Sequence, residues 1–108
     1  MTYKEKQKIE SDYTEIEWIG EAKRHEVYYE TYDDIVSNYT DYLHEDENKR
    51  LEKLRKKDPE GFNDELYGVV NGLFYEKLKK NKQLLVVDEK SETYNHRPTL
   101  YLKDPVYN

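Results

Sequence analysis

The sequence predicts a small α+β fold in a single domain over residues 1–108, with an N-terminal β-hairpin, two or three helices and a C-terminal β-hairpin. Short segments rich in β-branched and aromatic residues occur near both ends, which favours strands there. Between them, apolar residues recur every three or four positions, as in amphipathic helices. Leu, Ile, Val and Phe make up only 21% of the residues, but twelve tyrosines can add large rings to a core. We therefore expect a folded chain rather than a disordered one.

The N-terminal hairpin is expected to follow a polar leader, residues 1–10, which frays if it is helical. Residues 13–19 alternate polar and apolar side chains and predict the first strand. Gly20 begins a polar turn, and residues 25–32 predict the second strand. One long helix through both segments is the alternative, but Gly20 and the β-branched and aromatic content count against it.

The first helix is expected to begin at Asp33 or Asp34, because either carboxylate can cap a helix and complement its dipole. Its apolar stripe comprises Ile35, Val36, Tyr39, Tyr42 and Leu43. The helix either continues beyond residue 48 or a second one restarts at Asn48. Residues 58–61 contain a proline and a glycine and are expected to end it.

The C-terminal half gives the strongest helical pattern. Asn63 is the predicted cap of a helix over residues 64–80, and the lysines of its last turn suit the helix dipole. The apolar stripe of this helix comprises Leu66, Val69, Val70, Leu73, Phe74 and Leu78. Residues 84–87 and 99–102 then predict two strands around a polar loop, which forms the second hairpin.

Charge is distributed unevenly along the chain. The net charge is −6, and it divides into −9 for residues 1–48 and +3 for residues 49–108. The segment from His25 to Asn48 contains no Lys or Arg but has eight carboxylates and five interleaved tyrosines. Such a segment concentrates negative potential beside side chains that are common in protein interfaces. This pattern indicates binding rather than chemistry.

Several function classes have little support. The chain has no cysteine, which excludes disulfides and thiolate chemistry. His25, His44 and His96 lie far apart and in no metal-site or nucleophile motif, so we expect no catalytic residues, no metal and no cofactor, and not an enzyme. With no signal-like or membrane-spanning apolar run, the expected location is cytoplasmic, away from any membrane.

The leading hypothesis is a small acidic module that binds a basic protein partner. It would act as a stoichiometric inhibitor, of the type carried by mobile genetic elements, that mimics nucleic acid and covers the basic surface of a nucleic-acid-handling protein. Six carboxylates on the helix from Asp33 would lie about 3.7 Å apart along its axis, close to the spacing of about 3.4 Å between phosphates of one DNA strand. The predicted partner-binding residues are Tyr28, Tyr29, Glu30, Tyr32, Asp34, Asp41, Tyr42, Glu45, Asp46 and Glu47.

Two other hypotheses remain open. Residues 64–103 have the order of a recognition helix followed by a wing containing His96 and Arg97, as in a winged-helix DNA-binding regulator, which would function as a dimer. Acidic residues on the same elements and the net charge of −6 make direct nucleic-acid binding the less favoured hypothesis. Alternatively, the tyrosines belong to an oligomer interface of a structural subunit, such as a homodimer.

Overall fold

The structure, a computed structural model, describes residues 2–87 and 98–105, and 71% of that part is helical. It contains six helices and one three-stranded sheet, so the predicted arrangement of two hairpins with two or three helices is wrong. In chain order the elements are α1 (Tyr3–Asp12), β1 (Tyr13–Ile16), a 3₁₀ helix (Ile19–Arg24), α2 (Glu26–Ser37), α3 (Tyr39–Tyr42), α4 (Glu45–Lys57), α5 (Pro59–Lys80), β2 (Leu84–Val87) and β3 (Thr99–Lys103).

The main error concerns residues 25–32. His25 precedes α2 as its N-cap, and residues 26–32 form the first part of this helix instead of a strand. Tyr28 and Ile35 are buried on one side of this helix, and Tyr32 packs between them against the core. Their spacing of four and three residues is helical, and the burial of these side chains outweighs the β-propensity of valine and tyrosine. The helix predicted to begin at Asp33 or Asp34 is also wrong, because α2 begins at Glu26 and already ends at Ser37.

The sheet joins the two ends of the described chain. Its strand order is β1–β3–β2, and both neighbouring pairs are antiparallel. Residues 84–87 and 99–103 form strands close to the predicted ones, and Leu84 lies opposite Leu102. However, β3 also pairs with β1, with Tyr13 opposite Lys103, so there is one sheet and no N-terminal hairpin. Most of the predicted loop between β2 and β3, residues 88–97, lies outside the described residues.

Helices α4 and α5 form a helical hairpin with a break of a single residue. The Asp58 side chain accepts a hydrogen bond from the Gly61 amide at 3.1 Å, and Pro59 occupies the first position of α5. Proline suits that position because its missing N–H has no partner there in any helix. The predicted stop at residues 58–61 is confirmed, since α4 ends at Lys57, but α5 begins directly after it at Pro59, and Asn63 is not the cap.

The core lies between α2, α5 and one face of the sheet. Phe74 and Leu78 of α5 are fully buried with Ile35 of α2 and with Leu84 and Leu102 of the sheet. Helix α1, the predicted polar leader, buries none of its residues, but its first turn has a capping box between Thr2 and Glu5. The sheet and α5 thus hold α2 in place and leave its other side facing solvent.

Candidate protein-interaction surface

One side of α2 carries carboxylates and no cations. Glu26, Glu30 and Asp33 are exposed and are spaced by four and three residues, which places them on one side of the helix. We call these three residues the α2 acidic face. It lies opposite the buried Tyr28 and Ile35. Within residues 2–87 and 98–105, none of the three carboxylates is within ion-pair distance of a Lys or Arg.

Two exposed apolar side chains border this face. Tyr29 is 52% exposed and Val36 is 37% exposed. They are seven residues apart, so they lie on one line along the helix, directly beside Asp33. Aromatic and aliphatic side chains next to a charged rim are the usual composition of a protein-binding patch. Tyr29 is the most exposed of the predicted contact tyrosines.

Tyr28 has a different environment from the one predicted. Its ring is only 2% exposed, and its hydroxyl donates a hydrogen bond to the Lys103 carbonyl oxygen of β3. The residue therefore holds α2 against the sheet and does not offer its ring to a partner. The reason is its helical position, since it points to the same side as the buried Ile35.

Tyr32 is partly buried and makes two ring contacts. Its ring packs edge-on against Phe74, with 5.5 Å between the ring centroids. The Lys23 ammonium lies 3.8 Å from the Tyr32 centroid and 5.1 Å from the centroid of Tyr67, a ring that is 51% exposed on α5. Val36, Tyr32 and Tyr67 also line a small cleft of 170 Å³ between α2 and α5.

Asp34 and Tyr42 are joined in a polar chain that holds α3 in place. The Tyr42 hydroxyl donates to Asp34 Oδ2 at 3.1 Å and accepts a hydrogen bond from Lys77 Nζ at 2.9 Å. The Asn38 side-chain amide donates to Asp34 Oδ1 at 3.1 Å. Asp34 was predicted to cap a helix. Instead, its side chain links α2 to α3. The Tyr42 ring remains partly exposed.

The other predicted carboxylates do not continue one helix. Asp41 is on α3, whereas Glu45, Asp46 and Glu47 form the first turn of α4. Glu45 pairs with Lys49 at 3.3 Å. A hydrogen bond from the Arg50 guanidinium lowers the pKa of Glu47, and Arg50 also pairs with Glu65.

The predicted carboxylates thus differ in whether they form ion pairs within the protein. Glu30, Asp41 and Asp46 are exposed and make no ion pair with any described residue. Glu45 and Glu47 have their charge partly offset within α4. Glu26, Asp33 and Val36 belong to the exposed side of α2 but were not predicted as contact residues. If the helix is taken to begin at residue 26 instead of residue 33, its 3.6-residue repeat places all three residues on the exposed side.

The residues of the winged-helix alternative are only partly described. Lys77, Lys79 and Lys80 end α5 and line a 670 Å³ groove together with Leu73 and Tyr42. Lys77 is bonded to Tyr42, and the lysines also offset the helix dipole at this end. The proposed wing residues His96 and Arg97 lie outside the described residues.

The described part of the chain gives no geometric evidence for a metal site or a membrane span. No three His, Asp or Glu side chains within residues 2–87 and 98–105 converge as metal ligands. None of the described helices combines the length and apolarity required to cross a bilayer. In comparisons with known proteins, no family model matches this chain, and no curated protein or solved structure shows significant similarity to it.

Proposed function

We propose that this protein acts by binding, as a stoichiometric inhibitor that covers the basic surface of a nucleic-acid-handling protein. The observation that carries the proposal is the exposed side of α2, where Glu26, Glu30 and Asp33 lie beside Tyr29 and Val36. This side combines apolar contact area with negative charge that no cation of the described residues pairs. A basic protein surface is its natural electrostatic complement.

Only part of the charge on α2 stabilises the helix itself. Glu26 lies in the first turn and suits the helix dipole, whereas Glu30 and Asp33 lie outside that turn, and the last turn has no basic residue. The three carboxylates of the α2 acidic face follow one another at an average of about 5 Å along the helix axis. Phosphates of one DNA strand follow at about 3.4 Å, so this face is less densely charged than a strand, and the sign of its charge is what suits a groove that holds nucleic acid.

The two kinds of side chain have different effects on binding. Exposed carboxylates raise the rate of encounter with a basic partner, and added salt screens this effect. Tyr29 and Val36 lose contact with water in the complex and slow its dissociation. Asp41 and Asp46 extend the negative potential towards α3 and α4. The expected mechanism is occlusion, with no chemical step.

The test is affinity capture from cells that encode the protein, with three baits. The first is the wild type, and the second carries Glu26→Gln, Glu30→Gln and Asp33→Asn. The matched control neutralises three exposed carboxylates elsewhere, Glu10→Gln, Glu15→Gln and Glu76→Gln, so its net charge equals that of the second bait.

The expected result is that wild type and control retain the same basic nucleic-acid-binding protein and the α2 variant loses it. Short duplex DNA added in excess should release this partner from the wild type, because both ligands use one basic surface. Equal capture by the α2 variant and the control would refute the role of the α2 acidic face. Direct retention of DNA by the purified protein, abolished by Lys79→Glu and Lys80→Glu, would favour the winged-helix alternative instead.

A further inference from the structure

The Lys23 side chain lies against two aromatic rings, although the protein is rich in carboxylates. Its ammonium lies over the Tyr32 ring at 3.8 Å and within 5.1 Å of the Tyr67 ring. Within the described residues, no carboxylate lies at ion-pair distance from it. The two rings thus form a cation-binding position, and the Lys23 ammonium occupies it.

The Tyr32 ring is held more firmly than the cation. Tyr32 packs against the core and its ring edge contacts the fully buried Phe74. Tyr67 projects from the middle of α5, on the opposite side of the 170 Å³ cleft. Lys23, in contrast, reaches the rings from the 3₁₀ helix through a flexible four-carbon chain. The Tyr32 ring therefore keeps its place when the lysine side chain moves away, and the exposed Tyr67 ring lies across the cleft from it.

The surroundings of the ring pair favour a positive ligand. Asp33 follows Tyr32 directly on α2, and Asp64 lies one helical turn before Tyr67 on α5. Both carboxylates are exposed, and neither is paired with a cation in the part of the chain that the structure describes. Tyr29 and Val36 continue the patch along α2. A ring pair with this border attracts cations and repels anions.

We propose that the Tyr32–Tyr67 pair is a docking site for a lysine or arginine side chain of the basic partner, and that Lys23 occupies it until that side chain displaces it. The inference rests on the proposed function, since it requires a basic partner. Because Lys23 competes, the partner meets an open site only part of the time, and its apparent affinity falls in proportion. An exposed cation–π contact of ordinary strength weakens binding about three- to six-fold.

The test uses the full chain and octalysine as the probe, with calorimetric titration in low salt. Lys23→Ala opens the ring pair, and Arg24→Ala is the matched control, since it removes the same charge from the adjacent, exposed position. We expect Lys23→Ala to bind octalysine about three- to six-fold more tightly than Arg24→Ala. Adding Tyr67→Ala to Lys23→Ala should abolish this gain. Equal affinities of Lys23→Ala and Arg24→Ala would overturn the proposal.

Proton NMR of the wild type provides an independent measurement. Ring currents should shift the Lys23 ε-methylene protons upfield in the free protein, and octalysine should move them back towards the values of an unstructured peptide. Lys23 signals that stay unchanged while octalysine saturates the protein would overturn the docking site and leave the acidic-surface proposal intact. If neither the wild type nor Lys23→Ala binds octalysine in low salt, both proposals fail.

Discussion

Replacing Gly20 by alanine tests the packing of the protein's single tryptophan. An added Cβ at Gly20 would overlap with Cη2, Cζ2 and Cζ3 of Trp18, so the indole lies directly on the glycine. No glycine among the described residues has a positive φ, and the backbone of Gly20 therefore suits alanine. Steric overlap with the ring is the reason for the expected destabilisation.

The magnitude follows from the area that the indole covers. Trp18 is 52% exposed, so about half of its side chain is in contact with protein. For a tryptophan of about 250 Å² this is roughly 120 Å², worth at most about 3 kcal/mol if all contact is lost. A displaced ring recovers part of that contact, and the Gly→Ala change restricts the unfolded chain by about 0.4–1 kcal/mol in the opposite direction. We expect Gly20→Ala to lower the free energy of unfolding by about 1–2 kcal/mol.

Urea denaturation monitored by circular dichroism measures the change, and tryptophan emission should shift to the red as the ring becomes exposed. Gly68→Ala is the matched control, because a Cβ there meets nothing within 4 Å and the position is inside α5. That substitution should raise stability by about 0.5–1 kcal/mol. If both substitutions stabilise the protein and the emission spectrum of Gly20→Ala is unchanged, the assigned packing of Trp18 is wrong.

Four further substitutions test individual interactions. Tyr28→Phe removes the hydrogen bond to Lys103 and should cost about 1 kcal/mol in urea denaturation; no loss would contradict a structural role for the hydroxyl. In low salt, Glu26→Gln should destabilise α2 by about 0.5 kcal/mol, because Glu26 is in the first turn, where the helix dipole favours a carboxylate; Asp33→Asn, outside both end turns, should have little effect, and 1 M NaCl should suppress the difference. The lowered pKa of Glu47 stabilises the fold above the ordinary value of 4.5, and this contribution disappears as pH falls through the folded-state pKa. As the pH is lowered below 4.5, the free energy of unfolding should therefore fall less for Glu47→Gln than for the wild type. If the free energies of unfolding of both proteins fall equally with pH, the Glu47 carboxylate does not contribute to stability in this way.

Local patterns predicted some elements well. Val70, Phe74 and Leu78 repeat every four residues and are buried in α5, on the stripe expected from the sequence. The apolar runs at 84–87 and 99–102 form strands, since their composition and flanking polar residues agree. In both cases the local preference and the tertiary environment favour the same structure.

Tertiary contacts determined those parts of the fold that local sequence patterns did not predict. Tyr28 has a high preference for strands, but its ring fills a space between α2 and β3, and that space exists only in the folded protein. The pairing of β1 with β3 depends on residues about ninety positions apart, which no local pattern reveals. Tyrosine, which is compatible with both core and surface, gave no means of separating the buried Tyr28 from the exposed Tyr29. The structure buries Tyr28 and leaves Tyr29 exposed, and the contact surface itself stays a prediction.

The central position of β3 has a consequence for synthesis of the chain. Strands β1 and β2 both bond to β3, which is made after the other two strands of this sheet, and Thr14 is hydrogen-bonded to Asp104 across 90 residues. During translation the helices can form early from nearby residues, whereas both strand edges wait for residues 99–103. A chain that stops before Thr99 leaves two unpaired edges, which are prone to pair with other molecules. Ribosome-bound fragments should thus become resistant to protease and aggregation only after β3 has emerged.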